Sequence, residues 1–130
     1  MYLLDTNSVI YFFKGLGDIA NNLFLHSPQE VFIPSIVLYE LEVGIAKSNN
    51  PAKRKKQLNA LLEQIHVIDF GIKEAKVSAS IRATLEQKGT PIGPLDTLIA
   101  GCAKANNLTL VTHNIKEFER VDKLHVVDWF

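Results

Sequence analysis

Alternation of short strand-like runs with longer helical segments constrains this chain more than any other feature. Met1–Leu4, Val31–Ile33, His66–Phe70, Thr109–Val111 and Val126–Asp128 have the length and apolar character of strands buried in a sheet. Between them lie helical patterns at Val9–Phe13, Ile19–Leu25, Ile36–Ala46, a segment after Pro51 with apolar Leu58, Leu61, Leu62 and Ile65, then Ile72–Gln87 and Thr97–Ala103. Strands that alternate with helices return in the same direction through crossovers. The expectation is therefore an α/β fold: a parallel, doubly wound sheet of about five strands flanked by helices, with right-handed connections. At 130 residues the chain fits one domain, 1–130, burying roughly two thirds of the surface of its unfolded form.

Polar residues mark where these elements begin. The first apolar run breaks into Asp5-Thr6-Asn7 without a glycine. All three are favoured helix caps, yet ligand sites of open α/β sheets lie just beyond the carboxyl ends of the strands. Asp5 thus reads either as a cap or as a catalytic carboxylate. Asp18 and Ser35 are cap candidates for the second and third helices. The apolar positions of Ile36–Ala46 run almost all the way round, the pattern of a helix buried on most sides. Two acids on that helix, Glu40 and Glu42, are about 200° apart at 100° per residue, so at most one faces a site. Pro94 suits a first helical position, which puts Asp96 in the first turn, where the helix dipole alone stabilises an acid by about 0.3–1 kcal/mol.

Charge and cysteine content narrow the classes. Fourteen Lys and Arg balance fourteen Asp and Glu, so there is no global pull toward nucleic acid or an anionic membrane. A polyanion site has to be a local patch. The run Lys53-Arg54-Lys55-Lys56 covers every side of a helical turn and reads as solvated surface or as an RNA or partner patch; with Arg82, Lys53 and Arg54 are candidates for RNA phosphate contacts. The single cysteine, Cys102, lies in an apolar run as a small buried hydrophobe and points to a reducing interior. There is no charged n-region with a long apolar h-region, nor the roughly 20 apolar residues of a membrane span, so the chain reads as cytoplasmic with no membrane partner. His26, His66, His113 and His125 lack ligand spacing and read as core or surface residues, His113 least securely because it adjoins Asn114.

Four segments offer polar groups that a parallel sheet brings to one edge: Asp5, Glu40, Asp96 and the stretch from Thr112 to Glu117. Carboxylates crowded within ~4 Å repel by about 4 kcal/mol per pair at an effective dielectric of 20. A divalent cation reverses that sign, and hard ions such as Mg²⁺ accept one or two carboxylates together with water and substrate phosphate. The pattern points to metal-dependent phosphoryl chemistry. A phosphatase with Asp5 as nucleophile is disfavoured, because the acid wanted two residues on is Asn7.

LLDTN (Leu3–Asn7), SIVLYELEVG (Ser35–Gly44), RATLEQKGTPIGPLDTLIAG (Arg82–Gly101), VTHNIKEFERV (Val111–Val121) and the final Asp128-Trp129 together carry a likeness over essentially the whole length. The chain resembles PIN-domain ribonucleases of the VapC type, toxins of bacterial toxin–antitoxin pairs. The resemblance implies an endoribonuclease acting on structured RNA such as tRNA, inhibited by a cognate VapB-like antitoxin, and a homodimer or a hetero-oligomer with that antitoxin. It implies Mg²⁺, or Mn²⁺ in its place, held by Asp5 and Asp96, with Glu40 as the third acid and a metal-activated water as nucleophile. Thr112 and Asn114 would position water or phosphate, and the fourth acid's place falls to Asn114 or to Glu117 further along. With Asp5 a ligand, Thr6 and Asn7 become the better caps. The alternative is a degenerate PIN module that binds RNA or protein without catalysis.

Overall fold

The computed structural model describes all 130 residues. Its elements run β1 (Tyr2–Leu4), α1 (Thr6–Lys14), α2 (Ile19–Phe24), a 3₁₀ turn at Pro28–Glu30, β2 (Val31–Pro34), α3 (Ser35–Ala46), α4 (Pro51–Leu62), β3 (His66–Ile68), α5 (Ile72–Gln87), α6 (Pro94–Ala105), β4 (Thr109–Val111), α7 (Ile115–Phe118) and β5 (Val126–Val127). The five strands form one sheet in the order β3-β2-β1-β4-β5, with every neighbouring pair parallel. Strand order reverses at β1, which pairs with β2 on one side (Tyr2 opposite Val31) and β4 on the other (Tyr2 opposite Thr109). The carboxyl ends of β1 and β4 therefore flank the switch point where open α/β sheets bind ligands.

Burial explains why these short runs are strands. Leu3, Leu4, Val31, Ile33, Leu110 and Val111 are all but fully buried, and Val9, Val37, Ile99 and Ala100 are buried on the helices. Each large apolar side chain removed from water contributes about 1.5–3 kcal/mol, so three or four residues suffice to hold a central strand. The edge strands are brief, β5 only two residues, which leaves little open backbone for unwanted pairing.

Local details depart from the expectation in several places. Strands β3 and β5 end earlier than His66–Phe70 and Val126–Asp128, and helix α7 was not anticipated in so short a connection. Ser35 does not cap α3: the cap position is Pro34 and no side chain closes it. Asp18 occupies the cap position of α2, but its carboxylate makes no cap bond. Nor is α3 buried on most sides, since only Val37 and Leu41 are fully covered while Tyr39 and Val43 face outward. An apolar sequence face is exposed there, which periodicity cannot reveal.

Helices α5 and α6 meet at their closest point through Gly101. A Cβ there would lie 1.8 Å from Ser78 Oγ and 2.9 Å from Ser78 Cα, so only glycine admits the approach. Gly101→Ala is expected to destabilise the fold by about 1–3 kcal/mol, the range for overpacking, as read from the urea midpoint. Combining it with Ser78→Gly should recover part of that loss; no recovery would show that the contact is not the cause.

Candidate active site

Asp5 follows β1 directly and is fixed by its own backbone. Its N–H donates to Val111 O at 3.1 Å, extending the β1–β4 pairing by one residue, and Ser8 Oγ donates to the same carbonyl. Asp5 also caps α1: Oδ1 accepts from Ser8 N at 2.9 Å. The expectation that Thr6 or Asn7 would cap in its place is therefore corrected. Capping does not exclude site duty, since a carboxylate has two oxygens and Asp5 also lines the cleft cavity. Burial raises the Asp5 carboxyl above its ordinary range, opposed by hydrogen bonding from Thr112 and Ser8.

Thr6 does different work, donating its hydroxyl to Glu40 Oε1 at 2.7 Å. That bond turns Glu40 toward the end of β1, whereas Glu42, on the other side of α3, pairs with Lys55 at the surface. Asp96 arrives from the first turn of α6, with Pro94 at the helix start. Its carboxyl is pushed up to about 7, first by burial, then by repulsion from Glu117, a hydrogen bond with Glu117, and repulsion from Asp5 and Glu40. The four acids thus share one electrostatic environment.

Between the two candidates for the fourth acid's place, Glu117 is the acid present. Its Oε1 accepts from Gly93 N at 2.9 Å and its other oxygen from the Asn114 amide, which together hold it below the usual carboxylate range. Asn114 is its orienting partner. Thr112 is fully buried and faces Asp5, while its Oγ1 accepts from Asn114 N at 3.0 Å; it positions the acids from behind rather than opening to solvent. Arg120 donates to Pro91 O at 3.1 Å, tying the loop before α6 to the end of α7.

Sequence reasoning missed the Thr6 clamp, the Gly93 N–H and the Ser8 bonds. Thr6 and Ser8 flank Asp5 in a helix's first turn, which was a usable signal; a backbone N–H such as that of Gly93 leaves none. The cationic candidates lie in separate places. Arg82 pairs with Glu86 on the exposed face of α5, Lys53 is exposed near the start of α4, and Arg54 lines a cleft with Lys14 and Glu40. Cys102 is buried, and burial pushes its thiol up to about 12.

The donor chemistry suits a hard cation: carboxylate oxygens that repel one another until a positive charge is placed among them. No group of three or more His, Cys, Asp and Glu side chains closes around a single point. Asp5 and Asp96 could hold an ion by two carboxylates with water completing the shell, the usual arrangement for Mg²⁺.

Residues 2–124 match the PIN domain family. The chain belongs to that family. Among curated proteins it is similar to the tRNA(fMet)-specific endonuclease VapC of Salmonella typhimurium, 35% identical over 128 residues, 98% of this chain and 97% of the relative. It is likewise similar to ribonuclease VapC2 of Rickettsia felis, 41% identical over 131 residues, covering 99% and 98%. Among solved structures, VapBC2 from Rickettsia felis bound to a DNA fragment from its promoter superposes with a TM-score of 0.93 at 40% identity, covering 99% of this chain and 98% of that one. DNA-bound VapBC from Salmonella typhimurium gives the same score and coverage at 35% identity. PIN-domain VapC nucleases generally depend on a divalent metal.

The raised Asp96 carboxyl sets a pH dependence. Folded protein holds a proton that the unfolded chain releases, so the metal-free protein should lose stability as pH rises through the window from 3.8 to about 7. Glu117 acts in the opposite sense, but only around and below its ordinary 4.5. Thermal melting without metal is expected to fall between pH 4.5 and about 7, and Asp96→Asn should flatten the fall. An unchanged slope in the variant would remove Asp96 as its source.

Proposed function

We propose that this chain is a metal-dependent endoribonuclease, the toxin of a toxin–antitoxin pair, which hydrolyses phosphodiester bonds of structured RNA such as tRNA. The observation that carries this reading is the convergence of Asp5, Glu40, Asp96 and Glu117 at the sheet's switch point, in a chain whose relatives are named ribonucleases. Asp5 and Asp96 would hold Mg²⁺, with Mn²⁺ able to substitute. A bound divalent ion supplies an activated water at neutral pH and offsets charge on the phosphate.

The chain's own residues do the rest. Ser8 N and Thr112 fix the Asp5 carboxylate, so that it need not reorganise as charge develops. Glu40, turned inward by Thr6, is the acceptor for a proton from the attacking water, directly or through a second water. Glu117, held by Gly93 and Asn114, keeps negative charge beside Asp96 and so raises the cleft's affinity for a cation.

An antitoxin partner is supported by a different face. A cavity of about 420 Å³ lies between α1, α2 and α4, and its lining includes Phe12, Phe13, Phe24 and Leu61. Phe24 is 75% exposed, and Gln57 Oε1 is buried on this wall without a hydrogen-bond partner. A VapB-like antitoxin segment would cover the apolar surface and supply the missing donor. The outward Tyr39 and Val43 of α3 fit a homodimer contact. No helix is long and apolar enough to cross a membrane; the inert, buried Cys102 thiol fits a cytoplasmic protein acting on RNA there.

Antitoxin-free protein with Mg²⁺ or Mn²⁺ should cleave cellular RNA, and EDTA should stop it. Asp5→Asn or Asp96→Asn should lower the rate more than about a hundredfold, since metal stabilisation amounts to several kcal/mol at tenfold per 1.4 kcal/mol. If Asp5→Asn cuts as fast as the parent, the reading fails; if the parent binds RNA and cuts nothing, the non-catalytic PIN module takes its place. Phe24→Asp should escape antitoxin inhibition at least about tenfold, as truncation of an interface anchor does, while still cutting RNA.

A further inference from the structure

One wall of the cleft is aromatic and plays no part in holding the acids. A cavity of about 260 Å³ opens against Asp5 and is lined also by Asn7, Tyr11, His113 and Asn114. Its central ring is fixed from three directions. His113 Nδ1 lies 2.9 Å from Asp128 Oδ2, and the other Asp128 oxygen accepts from Phe130 N, also at 2.9 Å. The His113 ring stacks on Phe130 at 4.2 Å between centroids with 24° between planes. Tyr11 meets Phe130 edge-on at 5.0 Å and His113 at 6.1 Å.

Phe130 is seated in its turn on the connection between α1 and α2. Its carbonyl accepts from Asp18 N, and at Gly17, with φ +60°, a Cβ would fall 2.8 Å from the Phe130 ring. Three rings therefore form a platform that is fixed before any ligand arrives, yet the His113 side chain is still 47% exposed. Its Nε2 has no partner in the chain.

The lining indicates what fits. It contains no Lys or Arg, and Asp5 would repel a phosphate placed there. The Asn114 amide nitrogen is committed to Glu117, which leaves its oxygen as an acceptor, and the Asn7 side chain is engaged with nothing. Carboxamides next to aromatic rings match the polar edge and flat face of a base, the way proteins read unpaired RNA. The volume is below the ~300–1,000 Å³ of a pocket for a drug-sized ligand, in keeping with one base.

We propose that this cavity is a nucleobase pocket: it takes an unpaired base beside the scissile phosphate, stacked on His113, with Asn7 and Asn114 reading its edge. The proposal rests on the ribonuclease reading and adds a specificity site to it. His113 is the stacking contact; Asp128 positions it.

Two measurements test it. With parent protein, the His113 ring resonances should shift on adding a 5′-mononucleotide and stay in place on adding ribose 5-phosphate; equal shifts with both would overturn a base site. With variants, anisotropy of a labelled, short, mixed-sequence single-stranded RNA is read in an uncleaving Asp96→Asn background, and KM and kcat are read in active enzyme. His113→Ala should weaken binding and raise KM about tenfold, with a smaller change in kcat, and His113→Phe should recover most of the loss because stacking survives. An unchanged KM, or a Phe variant as weak as the Ala variant, defeats the stacking role. Thermal melting verifies that each variant is folded, and its rise with added Mn²⁺ is read only in the variants that keep Asp96. If the parent cuts RNA with no dependence on His113, the pocket falls and the nuclease reading stands; if nucleotides bind at His113 and no RNA is cut, the reverse holds.

Discussion

Repulsion of Asp96 by Asp5, Glu40 and Glu117 is the force the rest of the structure has to hold in check. Each acid comes from a different segment, and three of the four are restrained by a donor belonging to the scaffold. Ser8 N holds Asp5, the Thr6 hydroxyl holds Glu40, and Gly93 N holds Glu117. Asp96 has the start of α6 behind it, and its carboxyl is pushed up to about 7. Hydrogen bonds to charged groups are worth about 1.5–3 kcal/mol, comparable with the repulsion they oppose. Asp5 is buried and the other three are partly exposed, an arrangement in which a cation placed among them relieves the repulsion on Asp96.

The sheet makes this possible because its order reverses at β1. Asp5 and Thr112 end adjacent parallel strands, so their backbones are locked to one another before any side chain is considered. Glu40 and Asp96 are then delivered by α3 and α6. Gly101 permits α6 to lie close against α5, and the ties from Glu117 and Arg120 fix the loop that enters it.

Much of this was readable beforehand, for identifiable reasons. Strands and helices followed from apolar periodicity, because burial is what forms them here. The opposite facing of Glu40 and Glu42 followed from helix geometry alone. What was not readable depended on tertiary neighbours: Pro34 instead of Ser35 at the start of α3, the exposed Tyr39 and Val43, and the capping of α1 by Asp5 rather than by Thr6 or Asn7. Cap and catalyst were weighed as rivals, although a carboxylate has two oxygens and can serve as both. The hold on Glu117 depends on a backbone N–H that no residue type announces. His113 reads in sequence only as a core or surface residue, because its partners, Asp128 and Phe130, are distant in sequence and bring no spacing of their own.

The pairing of β1 with β4 carries a further consequence for when the protein becomes active. Ser8 and Val111 are 103 positions apart, so they meet only when β4 has been brought to β1. Contacts of such long separation form late and slowly. A chain still emerging from the ribosome carries Asp5, Glu40 and Asp96 but lacks the strand that aligns the first of them and the helix that supplies Glu117. Until β4 pairs with β1 the backbone that aligns Asp5 with Thr112 is not in place, so the acids that come earlier in sequence do not make the site by themselves.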